Sequence, residues 1–181
     1  MTYLQMDTSI PDSSIHRIHQ WLHNFCESEI LRRKIKKLFE ISETRGRAGF
    51  ERWLQFELML FCAEKGLKIF IETKLNPKSL ERTDITLEGF PEGKYAIELK
   101  IRRRFSYACA AFQDDFEKLK RLRQKTLPSH KGDDQFSYFA ILLYGQSIGE
   151  EDVKEIKKNS GIRDFHHLNI GNDFSFWIAK V

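Results

Sequence analysis

Residues 82–101, RTDITLEGFPEGKYAIELKI, constrain the chain more than any other segment. Tyr95, Ile97, Leu99 and Ile101 recur at every second position, and an extended strand gathers such residues on one side because its side chains alternate between faces. Glu98 and Lys100 then project together from the opposite side. Upstream, Thr83 to Glu88 forms another extended run, and Phe90-Pro91-Glu92-Gly93 supplies turn chemistry between the two, so they are expected to pair as a hairpin. Asp84 opens the first strand. Two carboxylates and an amine are thereby drawn toward one place, a set that offers hard oxygen ligands to a small divalent cation and a positive charge beside it.

Helical periodicity dominates the first third of the chain. Pro11-Asp12-Ser13-Ser14 reads as a stop and cap before Ile15, Ile18, Leu22 and Phe25, and a second helix is expected from about 29 to 40 with Leu31, Ile35, Leu38 and Phe39 inward. Ser42 to Gly46 reads as a connection. The run AGFERWLQFELMLFCAEKG then predicts a helix that is apolar around nearly its whole circumference and closed by Gly66 as a left-handed cap. Strands are expected at about 67–73, 83–88 and 94–101, with a turn at Asn76-Pro77. A helix follows from about 110 to 125 with Phe112, Phe116, Leu119 and Leu122 inward, then a polar loop, LPSHKGDD, and a strand in QFSYFAILLYG. A shorter helix at about 149–159 precedes two strands, 165–170 and 174–181, joined at Gly171-Asn172-Asp173.

At 181 residues the chain suits one well-buried domain with a small appendage: a helical extension over 1–45 and a principal domain over 46–181. Its 41% hydrophobic and 31% charged residues are the profile of a soluble globular protein, which excludes extensive disorder. No run reaches the roughly 20 apolar residues that span a bilayer, and MTYLQMDTSIPDSS has neither the basic start nor the apolar stretch of a secretory signal. The cytoplasm is the expected compartment, with no membrane partner. Cys26, Cys62 and Cys109 are isolated, so they are read as small buried hydrophobes. His16, His19 and His23 share a helix face and lack an acidic neighbour, which favours helix packing over ligation; His166 and His167 point to opposite sides of a late strand and are given no role.

The net charge is only +4, but the positive residues cluster: Arg32, Arg33, Lys34, Lys36 and Lys37; Arg102, Arg103 and Arg104; Lys118, Lys120, Arg121, Arg123 and Lys125. Clustered charge of one sign suits a polyanion, although each cluster also reads as a solvated helix face.

Taken on their elements, these residues resemble the PD-(D/E)XK, or restriction-endonuclease-like, nuclease superfamily. The order helix, three-strand meander, helix, strand runs from about Gly46 to Gly145. The resemblance maps the family's aspartate onto Asp84 and its (D/E)-x-K triplet onto Glu98, Leu99 and Lys100; Thr83 stands where the family name has proline. It implies an α/β fold with a central mixed sheet flanked by helices, here with an N-terminal helical extension and a C-terminal hairpin. A helix glutamate is also common in the family. On the residues alone, Glu57 sits at the centre of the Phe50, Trp53, Leu54, Phe61 arc and Glu51 beside it; GRAGFERWLQ resembles the lead of archaeal Holliday junction resolvases and points to Glu51, with Glu57 as the alternative.

The resemblance further implies a Mg²⁺-dependent nuclease, with Mn²⁺ able to substitute, acting on nucleic acid and more readily on DNA, as an endonuclease rather than an exonuclease. Asp84, Glu98 and the Leu99 carbonyl would hold the metal, Glu51 would join through water or position the nucleophile, and Lys100 would orient or help deprotonate the attacking water and offset developing charge. Arg102, Arg103, Arg104, Lys118 and Arg121 are the expected phosphate contacts. Gln113 faces either the same cleft or solvent. Two other classes compete: a catalytically inactive nucleic-acid-binding module on the same scaffold, and an interaction protein whose acidic pair is incidental. A homodimer or a protein partner supplying specificity would engage the N-terminal helices or the terminal hairpin.

Overall fold

The computed structural model describes residues 13–41, 50–75, 81–90, 93–125, 136–162 and 164–181. Pro11-Asp12, the Ser42 to Gly46 connection, the Asn76-Pro77 and Pro91-Glu92 turns and the 127–134 loop lie outside them. The elements in chain order are α1 (Ser13–Phe25), α2 (Glu29–Ile41), α3 (Phe50–Glu64), β1 (Lys68–Thr73), β2 (Thr83–Phe90), β3 (Gly93–Arg102), α4 (Phe105–Lys125), β4 (Phe136–Tyr144), α5 (Glu150–Ser160), β5 (Phe165–Ile170) and β6 (Phe174–Lys180).

Six strands form one mixed sheet in the order β1-β2-β3-β4-β6-β5, flanked by helices: the protein is α/β. The first three strands are an antiparallel meander. After β3 the chain crosses through α4 and returns as β4, parallel to β3 from Lys94↔Phe136 to Arg102↔Tyr144. A crossover of that kind is what a parallel pair requires. The closing hairpin inserts β6 beside β4 and leaves β5 at the edge. Central position explains why Phe139 to Tyr144 and Phe174 to Ala179 are continuously buried: both faces are covered, so alternation gives way to an apolar run.

The two faces of the sheet carry different helices. Tyr95, Ile97, Leu99 and Ile101 pack with Phe139, Ile141, Leu143 and Ile178 against α1, α2 and α3. On the other face, Ala96, Ala140 and Ala179 keep the sheet low, so α4 seats Ala108, Phe112, Leu119 and Leu122 there around Trp177. The residues of α1 and α2 thus belong to the same buried cluster as α3 and the sheet. Arg103 fastens α2 further, donating from its guanidinium to the Phe39 carbonyl at 3.0 Å.

Helix α4 begins at Phe105, five residues before the expected start, because Phe105, Ala108 and Cys109 continue the inward stripe of Phe112. Gly66 has φ +71 at the end of α3, the left-handed conformation expected there. All three cysteines are free and buried. Among the described residues no helix is long and apolar enough to cross a membrane.

Candidate functional site

Strand register decides whether the acidic pair can meet. Ile85 faces Ile97 and Thr86 faces Ala96 across the β2–β3 ladder; one step further along the same register sets Asp84 opposite Glu98. Ile85 and Ile97 lie in the cluster under α1–α3, so Asp84 and Glu98 both belong to the other face, beneath α4. Cross-strand neighbours of this kind have Cβ atoms about 5 Å apart. Asp84 is held in place by the backbone, its Oδ2 accepting the Leu99 N–H at 2.8 Å.

Glu98 is fully buried, at 0% exposure. Lys118, reaching in from α4, brings its Nζ to 2.8 Å from Oε2. Lys118 is thus the ion-pair partner of Oε2, while Oε1 has no hydrogen-bond partner among the described residues. Burial, and then the charge of Asp84, push the Glu98 carboxyl up to about 8, while Lys118 opposes them. A carboxylate buried this deeply carries a steep desolvation cost that one partly exposed ammonium offsets only in part. A fold that retains one at the centre of a strand has a use for it other than packing.

Lys100 completes the group. Its ammonium lies 3.7 Å from Glu51 Oε2 and 4.0 Å from Asp115 Oδ1. Burial works to lower its pKa, but Asp115, Asp84, Glu51 and Glu98 together outweigh burial and raise it. Lys100 is therefore a firmly held cation in the metal-free protein. Glu51 comes from the first turn of α3, on the other side of the sheet; its Oε1 also accepts from Arg102 Nη1 at 3.0 Å. Glu57, two turns further on, is ion-paired with Lys34 of α2 at 2.8 Å and takes no part in this group.

Asp115 was not anticipated from the sequence. It sits 7% exposed on the inward stripe of α4, between Phe112 and Leu119, and burial pushes its carboxyl up to about 6, Lys100 opposing. An acidic residue interrupting an apolar stripe at helical spacing was the available signal.

Of the residues expected on phosphate, Arg102 is engaged with Glu51 and with the Ile101 carbonyl at 2.8 Å, and Arg103 with Phe39. Lys118 turns inward to Glu98. These three reach inward because the end of β3 emerges between α2 and α3, and because Lys118 falls on the flank of the buried stripe of α4. Arg104, Arg121 and Gln113 are exposed.

No family model, curated protein or solved structure matches this chain.

Elsewhere, α1 packs on β5 and β6. His19 is partly buried there, with His16, His23 and His166 near enough to repel a charge on it; burial is the main cause of its lowered pKa, opposed by a hydrogen bond with the His167 backbone. Among the described residues no three histidine, cysteine, aspartate or glutamate side chains converge as a metal cage.

Proposed function

We propose that this protein is a metal-dependent nuclease of the PD-(D/E)XK type that hydrolyses the phosphodiester bonds of nucleic acid, with DNA the first substrate to test. The observation that carries this reading is the placing of Asp84 beside a wholly buried Glu98, whose Oε1 has no hydrogen-bond partner among the described residues and whose Oε2 is ion-paired with Lys118 at 2.8 Å. The element order from α3 to β4, with an antiparallel meander and a parallel return, supports the finer fold assignment.

The donor set suits Mg²⁺ and is not that of a structural zinc site. Magnesium is commonly held by one or two carboxylates with water and substrate oxygens filling the rest, whereas a structural zinc site needs four nitrogen or sulfur ligands. Asp84, Glu98 and the Leu99 carbonyl are the residues that would hold it, with Glu51 joining through water. Bound there, the ion would supply charge stabilisation at the scissile phosphate and a more acidic water.

The remaining work falls to the chain's own side chains. Lys100, kept as an ammonium by four carboxylates, orients the attacking water by donating a hydrogen bond and offsets the charge that gathers on the phosphate oxygens. Because Lys100 already carries its proton, it does not accept the one that the water loses. That proton passes to a carboxylate, and Glu51, 3.7 Å from Lys100 and 35% exposed at the lip of the site, is suited to relay it to solvent.

Purified protein should cleave plasmid or branched DNA with Mg²⁺ or Mn²⁺, and Lys100→Ala should abolish cleavage. Calorimetric titration should detect Mn²⁺ binding that Asp84→Asn removes. Mn²⁺ binding that is indifferent to Asp84→Asn refutes the metal site; salt-sensitive DNA binding with no cleavage of any substrate returns the inactive binding module instead.

A further inference from the structure

Lys118 has no part in the site as outlined so far, yet its ammonium stands where a metal would approach. The pair is asymmetric. Glu98 is rooted in the middle of β3 with its side chain 1% exposed, whereas Lys118 reaches in from the helix surface with its side chain 29% exposed. The carboxylate has nowhere to go; the ammonium, on four flexible carbons, can withdraw to water.

A divalent ion on Glu98 and an ammonium at 2.8 Å from the same oxygen would repel each other strongly in a buried setting. One of them has to leave. The route out for Lys118 runs along a basic edge of α4: Arg121 and Lys125 lie one and two turns further on, and all three act on the carboxylate of Glu81 just before β2. Lys125 is already paired with Glu81 at 2.8 Å, which leaves the withdrawn Lys118 beside exposed Arg121. The partner whose chemistry fits two neighbouring cations at that edge is a backbone phosphate.

We propose that Lys118 is an exchange cation: it stands against Glu98 Oε2 in the metal-free protein, is displaced by the divalent ion, and then pairs with a phosphate of the nucleic acid, so that metal and nucleic acid bind with positive coupling. This rests on the metal-dependent nuclease reading. Linkage makes the coupling reciprocal, since each ligand relieves the same unfavourable exchange for the other. Lys118 is a positioning residue in this scheme, and its signature is a change in metal affinity opposite to that of structural damage.

The test measures Mn²⁺ affinity by calorimetry or by the electron paramagnetic resonance of free Mn²⁺, for wild type, Lys118→Met, Lys118→Gln and Lys118→Arg. Each is titrated alone and with a phosphorothioate DNA duplex, and circular dichroism checks the fold. Without DNA, Lys118→Met and Lys118→Gln should bind Mn²⁺ about tenfold more tightly than wild type, because no ammonium competes. With DNA, wild type should gain affinity severalfold, the two neutral variants should gain little, and Lys118→Arg should restore the gain. Unchanged or weaker Mn²⁺ binding in both folded neutral variants overturns the exchange and leaves the nuclease reading standing. Absence of Mn²⁺ binding in wild type, or binding that survives Asp84→Asn, overturns both.

Discussion

Replacing Glu98 by glutamine should stabilise the metal-free protein at alkaline pH while removing its metal site. The carboxyl titrates at about 8 in the fold, against 4.5 for an ordinary glutamate, because burial and then Asp84 disfavour its ionised form. The folded state therefore holds this proton more tightly than the unfolded chain does. Stability from that proton is full below about 4.5 and is lost as pH rises toward 8, the reverse of an ion-paired carboxylate. Integrated from pH 5 to pH 8, the loss is on the order of 3 kcal/mol.

Glutamine has nearly the same shape and no proton to lose, and Lys118, already 29% exposed, can turn to water when its partner is neutral. Urea unfolding of metal-free wild type and Glu98→Gln at pH 5, 6, 7 and 8 measures the difference. The two should agree within about 1 kcal/mol at pH 5, and the variant should be more stable by on the order of 3 kcal/mol at pH 8. Mn²⁺ at a hundred times its dissociation constant should restore roughly 2.7 kcal/mol to wild type and nothing to the variant. A variant less stable than wild type at pH 8, or a wild type whose stability is flat from pH 5 to 8, would show that Glu98 is satisfied inside the fold and would remove its claim to be a ligand.

Two further outcomes test the framework around the site. A Cβ at Gly145 would stand 2.8 Å from Cδ1 of Phe39, so Gly145→Ala must push the α2 ring aside and should cost about 1–3 kcal/mol in urea unfolding; an unchanged midpoint would mean that α2 does not press on the end of β4. Burial lowers the pKa of His19, so its contribution is present above about 6.5 and is lost as pH falls further, when a charge there would face His16, His23 and His166. Stability below pH 6.5 should therefore fall less steeply in His19→Gln, and equal slopes for the two proteins would refute a buried neutral imidazole.

How legible the fold was depends on how local its signal was. Strand β3 was readable because four apolar residues at alternate positions admit one conformation, and α1 and α2 because Ile15 to Phe25 and Leu31 to Phe39 keep strict helical spacing. The start of α4 was not, because Ser106 to Ala110 carries weak apolar contrast until Ala108 and Cys109 are seen to be buried. Site geometry was legible where a register extends a local pattern: Glu98 and Lys100 share a face by alternation alone. It was illegible where side chains from separate elements choose partners. Glu57 looked central on α3, but the pairing with Lys34 depends on how α2 crosses that helix. Lys118 and Arg103 read as surface charge because their inward partners, Glu98 and the Phe39 carbonyl, are 20 and 64 residues away in sequence.

The same geometry accounts for the site's location at one end of the sheet. Strand β2 starts at Thr83, so the β2–β3 ladder ends about where Asp84 meets Glu98, while β3 runs on to Arg102 with β4 on its other side. Beyond Glu98, no strand pairs with the β2 side of β3 among the described residues. Through that gap Glu51, from a helix on the opposite face, reaches the Ile101 N–H at 3.5 Å and approaches Lys100, which otherwise belongs with Asp115 under α4. A complete ladder would separate these groups, leaving Glu51 with α3 and Lys100 with α4. The short β2 therefore does more than end a hairpin: it lets the two layers of helices contribute carboxylates to one lysine.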